Sequence, residues 1–326
     1  IAGANTAIVL APGTYSAETG ESFPIALKPG AILQGDPATK GRNVVIRGGG
    51  FFLSRTFARQ NIAILGADES GLAGVTVTNP NRRGYGLWIE SSSMVVADNS
   101  FIGNTHDGIS VTGNSAPLIR NNYFADNGAN GMTIFNTARP EVRENVFERT
   151  GFGMTIAQNA APVVIGNRIV QNKDGIVANG KSQPMLRSNT IEGNLRDGLV
   201  ATQESRPDIG TTGQPGGNLF RNNRRYDINT TASSQTVPAV GNQLASNRIV
   251  GRLDLGGGNV TNPPLATVRT GEVLPNSSPL PRTNSPASIV IPVPPPQTTT
   301  RQDTPVARRR RWNRRRVTRQ RRNIRR

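Results

Sequence analysis

Apolar and polar positions alternate in short bursts along this chain, and from Gly86 onward the bursts recur about every 22 residues. Gly86, Gly108, Gly131, Gly153, Gly175 and Gly198 are separated by 22, 23, 22, 22 and 23 positions. Each opens a run such as Gly108-Ile109-Ser110-Val111 or Gly153-Met154-Thr155-Ile156. Alternation of this kind predicts a strand with one face buried. Two further columns keep the same register. Pro117, Pro140, Pro162, Pro184 and Pro207 stand two places before Ile119, Val142, Val164, Leu186 and Ile209. Asn99, Asn122, Asn145, Asn167, Asn189, Asn218 and Asn242 stand two places before Phe101, Phe124, Phe147, Ile169, Ile191, Phe220 and Leu244. Each repeat therefore holds three short strands.

Such a unit is too short for the helix pairs of helical repeats, which need roughly 33 residues or more. Coiling three strands per turn instead lays equivalent strands in parallel, about 4.8 Å apart, and stacks like residues into one continuous core. The predicted fold is all-β, a single-stranded parallel β-helix of roughly ten rungs over residues 1–260, with regular rungs at 85–250. Asparagine recurring at one turn has a physical cause: it tolerates the left-handed backbone conformation, and its amide can donate and accept along the stack. A second column, Asn104, Asn127, Asn172, Asn194 and Asn223, with Thr150 in one slot, reads the same way. Neither ladder points to catalysis. The spacing stretches between Ile209 and Asn218, where residues 211–217 form a loop inserted at a turn. Asp227-Ile228, Val240 and Asn242 read as a degraded rung, and Asn247 to Leu255 as the end of the stack.

The formal charge of +17 is concentrated at one end, because residues 301–326 hold 13 Arg against one Asp. Residues 261–306, rich in Pro, Thr and Ser, read as an extended disordered linker that forms no strands. Residues 307–326 read as a basic tail that binds anions by counterion release. No run approaches 18 apolar residues, so no membrane span is predicted. The absence of Cys removes disulfide and thiolate-metal chemistry without choosing a compartment. The first residue is Ile rather than Met, and the expectation is a chain that follows a missing start and a removed export signal.

The segment Ile8-Val9-Leu10-Ala11-Pro12-Gly13-Thr14-Tyr15, followed by Glu21 to Gly30 and Ile32-Leu33-Gln34-Gly35, resembles the opening rungs of pectin-lyase-like right-handed β-helix proteins. In particular it is similar to the largely cyanobacterial domain-of-unknown-function 1565 family. The resemblance covers roughly residues 1–250 and implies a right-handed coil, in line with the handedness of parallel crossovers. It also implies an exported protein, periplasmic, cell-surface or secreted. The wider superfamily includes polysaccharide lyases, glycoside hydrolases, epimerases, esterases and non-catalytic surface proteins, so the fold leaves the reaction open.

In the resembled enzymes, substrate lies along the outer face of a stacked sheet. With Leu87, Ile89, Ile109, Val111, Met132, Ile134, Met154 and Ile156 inward, the outward column of the Gly-led strands reads Trp88, Ser110, Thr133, Thr155, Val177 and Val200. Trp88, with Tyr85, Glu90, Arg82 and Arg83, forms a candidate ligand-binding cluster able to stack on a sugar and pair with its acid groups. Otherwise Trp88 covers apolar surface. A second candidate, catalytic, is Lys173-Asp174 with Arg196-Asp197 on adjacent rungs, whose carboxylates would lie about 5 Å apart. Such a pair could serve a retaining glycosidase, or hold Ca²⁺ against an acidic polymer, with Arg196 or Lys173 as base in a lyase. Against this, Asp-Gly is ordinary turn chemistry. His106 and Asp107 could form an acid/base pair or a solvated turn.

The polygalacturonase and alginate-epimerase motifs are missing, so the favoured reading is non-catalytic: carbohydrate binding, or a cell-envelope scaffold on anionic polysaccharide, as a monomer with no cofactor. The alternatives are a lyase, hydrolase or epimerase acting on uronate-rich polymers, and nucleic-acid binding through the tail.

Overall fold

A computed structural model describes residues 6–55, 59–256 and 288–291. The chain coils into a parallel β-helix whose three sheets contain nine, eleven and nine strands, and a two-stranded sheet closes the end. Each Pro-led strand, such as Glu141–Arg143, pairs with its equivalents one rung away, Leu118–Arg120 and Val163–Ile165. The Gly-led strands Asp107–Thr112, Asn130–Ile134, Phe152–Ile156, Asp174–Ala178 and Leu199–Gln203 form a second wall, and the Asn-led strands a third. The pairing is regular well before residue 85, since Ile32–Gln34 already pairs with Ala7–Leu10. Among the described residues, helical structure is limited to three short 3-10 turns, and no helix is long and apolar enough to cross a membrane.

The columns explain the coil. Phe101, Phe124 and Phe147 are buried and stacked, with ring centroids 5.2 and 4.5 Å apart and planes within 13° and 8°. Every inward residue predicted for the Gly-led strands is fully buried. Glycine recurs there because the corner is tight. A Cβ on Gly86, Gly108, Gly131 or Gly153 would sit 2.5–2.8 Å from the carbonyl oxygen of the next rung's glycine, closer than real Cβ atoms approach.

The predicted asparagine ladder is present along its whole length. Asn99, Asn122, Asn145, Asn167 and Asn189 each donate from the side-chain amide to Oδ1 of the next ladder Asn at 2.9–3.0 Å, and Asn218 donates to Asn242 at 2.8 Å. The backbone N–H of each donates to the same oxygen. The left-handed conformation falls elsewhere than expected. It belongs to the preceding residue, Asp98, Asn121, Glu144, Gly166, Ser188 or Gly217, with φ of 54–65°. The corner is turned one position early, and this aims the ladder amide along the stack. Left-handed non-glycine residues cost about 1–2 kcal/mol each, which the buried ladder bonds offset. The second ladder follows the same scheme but breaks between Asn127 and Thr150; Thr150 resumes it with a 2.8 Å bond to Asn172.

Two elements depart from simple coiling. Gly50–Leu53 pairs antiparallel with the lengthened strand Arg59–Leu65 and forms a hairpin on the Gly-led sheet. Ser288–Ile291 pairs in parallel with Ala7–Leu10, which corrects the expectation that 261–306 forms no strands. The run Ile289-Val290-Ile291 is β-branched and ends at Pro292, a composition suited to a short edge strand. The rest of the linker and the 307–326 tail lie outside the described residues.

Candidate functional site on the Gly-led wall

The outward face of the Gly-led sheet carries two groups of polar side chains. The first surrounds Asp107, which is buried yet accepts four hydrogen bonds. Its Oδ1 receives Asn130 Nδ2 and pairs with His106 Nδ1, both at 2.8 Å; its Oδ2 receives Ser110 Oγ at 3.0 Å and Thr133 Oγ1 at 2.8 Å. With Asp107 accepting from its partners, His106 turns Nδ1–H toward the carboxylate. Nε2 is then the basic edge of the ring. The His106 side chain is 30% exposed and lies against Tyr85, with centroids 4.5 Å apart. Burial raises the Tyr85 phenol above its ordinary value, a hydrogen bond with Arg83 opposes that, and the Asp107 charge reinforces it. Arg82 and Arg83 are exposed beside this group. The arrangement can bind a sugar acid and can move a proton at Nε2.

Trp88 does not offer the expected sugar platform. It is 1% exposed, packed with Ile62, Tyr85 and Phe135, and its Nε1–H donates to Glu90 at 3.1 Å. Glu90 also accepts from Ser54 of the hairpin at 3.1 Å. Of the five residues in that predicted cluster, only Arg82 and Arg83 are exposed; Tyr85, Trp88 and Glu90 build the wall. His106 and Asp107, weighed from sequence as an acid/base pair or a solvated turn, form the polar centre.

The second group holds Lys173, Asp174, Arg196 and Asp197. The carboxylates occupy equivalent places on adjacent rungs, as expected, but both are buried and already paired. Asp174 accepts from Arg196 Nε at 3.1 and 3.2 Å and from the Asp197 N–H at 3.0 Å. Asp197 accepts from Arg225 Nε at 2.8 Å, the Tyr226 N–H at 3.1 Å and Asn229 at 3.0 Å. Burial alone would raise the Asp197 carboxyl, but the bonds from Arg225 and Asn229, the Arg225 charge and the Tyr226 N–H together hold it below the usual range. Both acids are occupied by these donors, and the Arg196 guanidinium is itself committed to Asp174. Among the described residues no three His, Asp or Glu side chains converge as a metal site.

The family model described as "Protein of unknown function (DUF1565)" matches residues 1–116 and 110–248. The chain belongs to the DUF1565 family. Among curated proteins none matches it. The solved structures similar to this DUF1565 chain share its fold. Geobacillus virus E2 ORF18 is 14% identical with a TM-score of 0.51, over 78% of this chain and 55% of its own. The periplasmic alginate epimerase AlgG is 16% identical with a TM-score of 0.43, over 76% of each chain. The A-module of the Azotobacter vinelandii mannuronan C-5 epimerase AlgE4 is 14% identical with a TM-score of 0.40, over 77% of this chain and 89% of its own.

Proposed function

We propose that the Gly-led wall of this DUF1565 protein binds an acidic polysaccharide of the cell envelope, outside the cytoplasm. The observation that carries the reading is the open edge of His106, fixed through Nδ1 by buried Asp107 and flanked by exposed Arg82 and Arg83. Guanidiniums suit carboxylates, and a preordered imidazole supplies a directional contact to a hydroxyl. The test is calorimetric titration of the full chain with oligouronates at fixed salt. Arg82→Gln with His106→Ala is expected to weaken binding about tenfold, an effect of the size seen when charged hydrogen-bond partners are removed. The basic tail is common to both proteins, so equal affinities would overturn the reading.

A second reading rests on the same His106 pairing, which is suited to general acid/base chemistry on a sugar acid. It predicts unsaturated or C5-inverted products from a uronate polymer, lost in His106→Gln. Polymer recovered unchanged after long incubation with the parent protein rules out catalysis while leaving binding intact.

A further inference from the structure

Three cations stand one above another at the entrance to the Gly-led wall. The backbone N–H of Lys173 donates to Gly151, that of Arg196 to Lys173 and that of Arg225 to Arg196, at 2.9, 2.8 and 2.8 Å, so these residues occupy one column on successive rungs. Rung spacing sets their pitch at about 4.8 Å. Each is held from beneath. Arg196 is pinned by buried Asp174 and Arg225 by buried Asp197, each carboxylate lying one rung back. The Lys173 ammonium lies 5.9 Å from the Phe152 ring centroid, and the Arg225 guanidinium 6.0 Å from that of Tyr226. The Arg196 and Arg225 side chains nevertheless remain 43% and 52% exposed. Beside them Val177 and Val200 face outward and are half-buried.

We infer that Lys173, Arg196 and Arg225 form a track for one extended polyuronate chain lying along the coil axis, with successive carboxylates on successive rungs. The inference deepens the binding reading and rests on it. The buried aspartates hold the guanidiniums in place before any ligand arrives, so less side-chain entropy is lost on binding than with free surface arginines. A single row of charge with an apolar flank matches a sugar-acid chain, which presents carboxylates on an edge and C–H groups on ring faces. A nucleic-acid duplex carries two rows of phosphates and has no use for Val177 and Val200.

The four lysines of the chain are Lys28, Lys40, Lys173 and Lys181, and residues 301–326 contain none, so amine labelling separates the track from the tail. The full chain is treated with a uronate hexamer carrying an amine-reactive ester, and modified peptides are quantified by mass spectrometry. Labelling of Lys173 is expected to exceed that of exposed Lys181 about tenfold, as hydrogen bonds from the fixed guanidiniums to the probe's carboxylates hold it beside Lys173. Free uronate hexamer should suppress it, and a neutral glucose hexamer should not. Val177→Glu with Val200→Glu adds two anions beside the track and should abolish the preference; Val177→Thr with Val200→Thr should retain it. Equal labelling of the two lysines, an unaffected Glu variant, or suppression by an oligonucleotide as strong as by the uronate would each overturn the track. Should oligouronate binding persist in the calorimeter while Lys173 gains no preference, the track fails and the His106 site stands. No binding in either assay removes both.

Discussion

The indole of Trp88 leans across small, covered Ser110 to meet Phe135 two rungs away, with ring centroids 6.1 Å apart. It is therefore a fastener for the outer wall, and its loss should be felt in stability and not in ligand affinity. Trp88→Ala is expected to destabilise the protein by about 3–5 kcal/mol and to leave oligouronate binding to the folded protein unchanged, which denaturant unfolding and calorimetry check separately. Asparagine in the ladder is equally committed. Asn145 donates to Asn167 and Ile119 while its own oxygen receives two bonds from Asn122. No other side chain of that size donates and accepts in the same directions.

At the scale of the strand and its corner, the residues legible in the sequence are those that touch their own equivalents. Glycine faces glycine, asparagine bonds asparagine and phenylalanine stacks on phenylalanine, so each contact recurs as a column. The outer wall obeys a different geometry. Arg196 reaches back one rung to Asp174, Arg225 to Asp197, and Phe135 covers Trp88 from two rungs ahead. Such diagonal contacts leave no periodic trace, which is why two already neutralised aspartates read as a catalytic pair and a covered indole as a sugar platform. One signal was available: Lys173, Arg196 and Arg225 share a slot once the inserted loop is discounted. The glycine corner gives a sharp element-scale prediction. Gly153→Ala brings a methyl to 2.6 Å from both the Gly175 carbonyl oxygen and Ile169 Cγ2, and overpacking of this kind costs about 1–3 kcal/mol. A lowered unfolding midpoint in urea checks it.

For the molecule as a whole, two buried carboxylates near the C-terminal rungs respond to pH in opposite senses. The folded state lowers the value of Asp197, so its pairing stabilises the fold above the ordinary carboxylate range and is lost as pH falls through the depressed value. Burial raises Asp227, and the Asn223 bond and Arg248 charge offset this only in part. Its contribution is present below the unfolded value and is lost as pH rises through the raised one. Asp227→Asn should therefore raise the thermal midpoint by a few degrees at pH 7 and leave it near the parent value at pH 3. Asp197→Asn should lower it at pH 7, with the deficit shrinking on acidification; midpoints recorded across that range decide both. The Asn189 to Asn218 step spans 29 residues, yet its bond is 2.9 Å, as short as those closing 22-residue steps. Vertical cohesion is thus indifferent to how much chain is spent at a corner, and a lineage can lengthen or rewrite such an excursion, and with it the profile shown to passing polymers, while the stack beneath inherits no change.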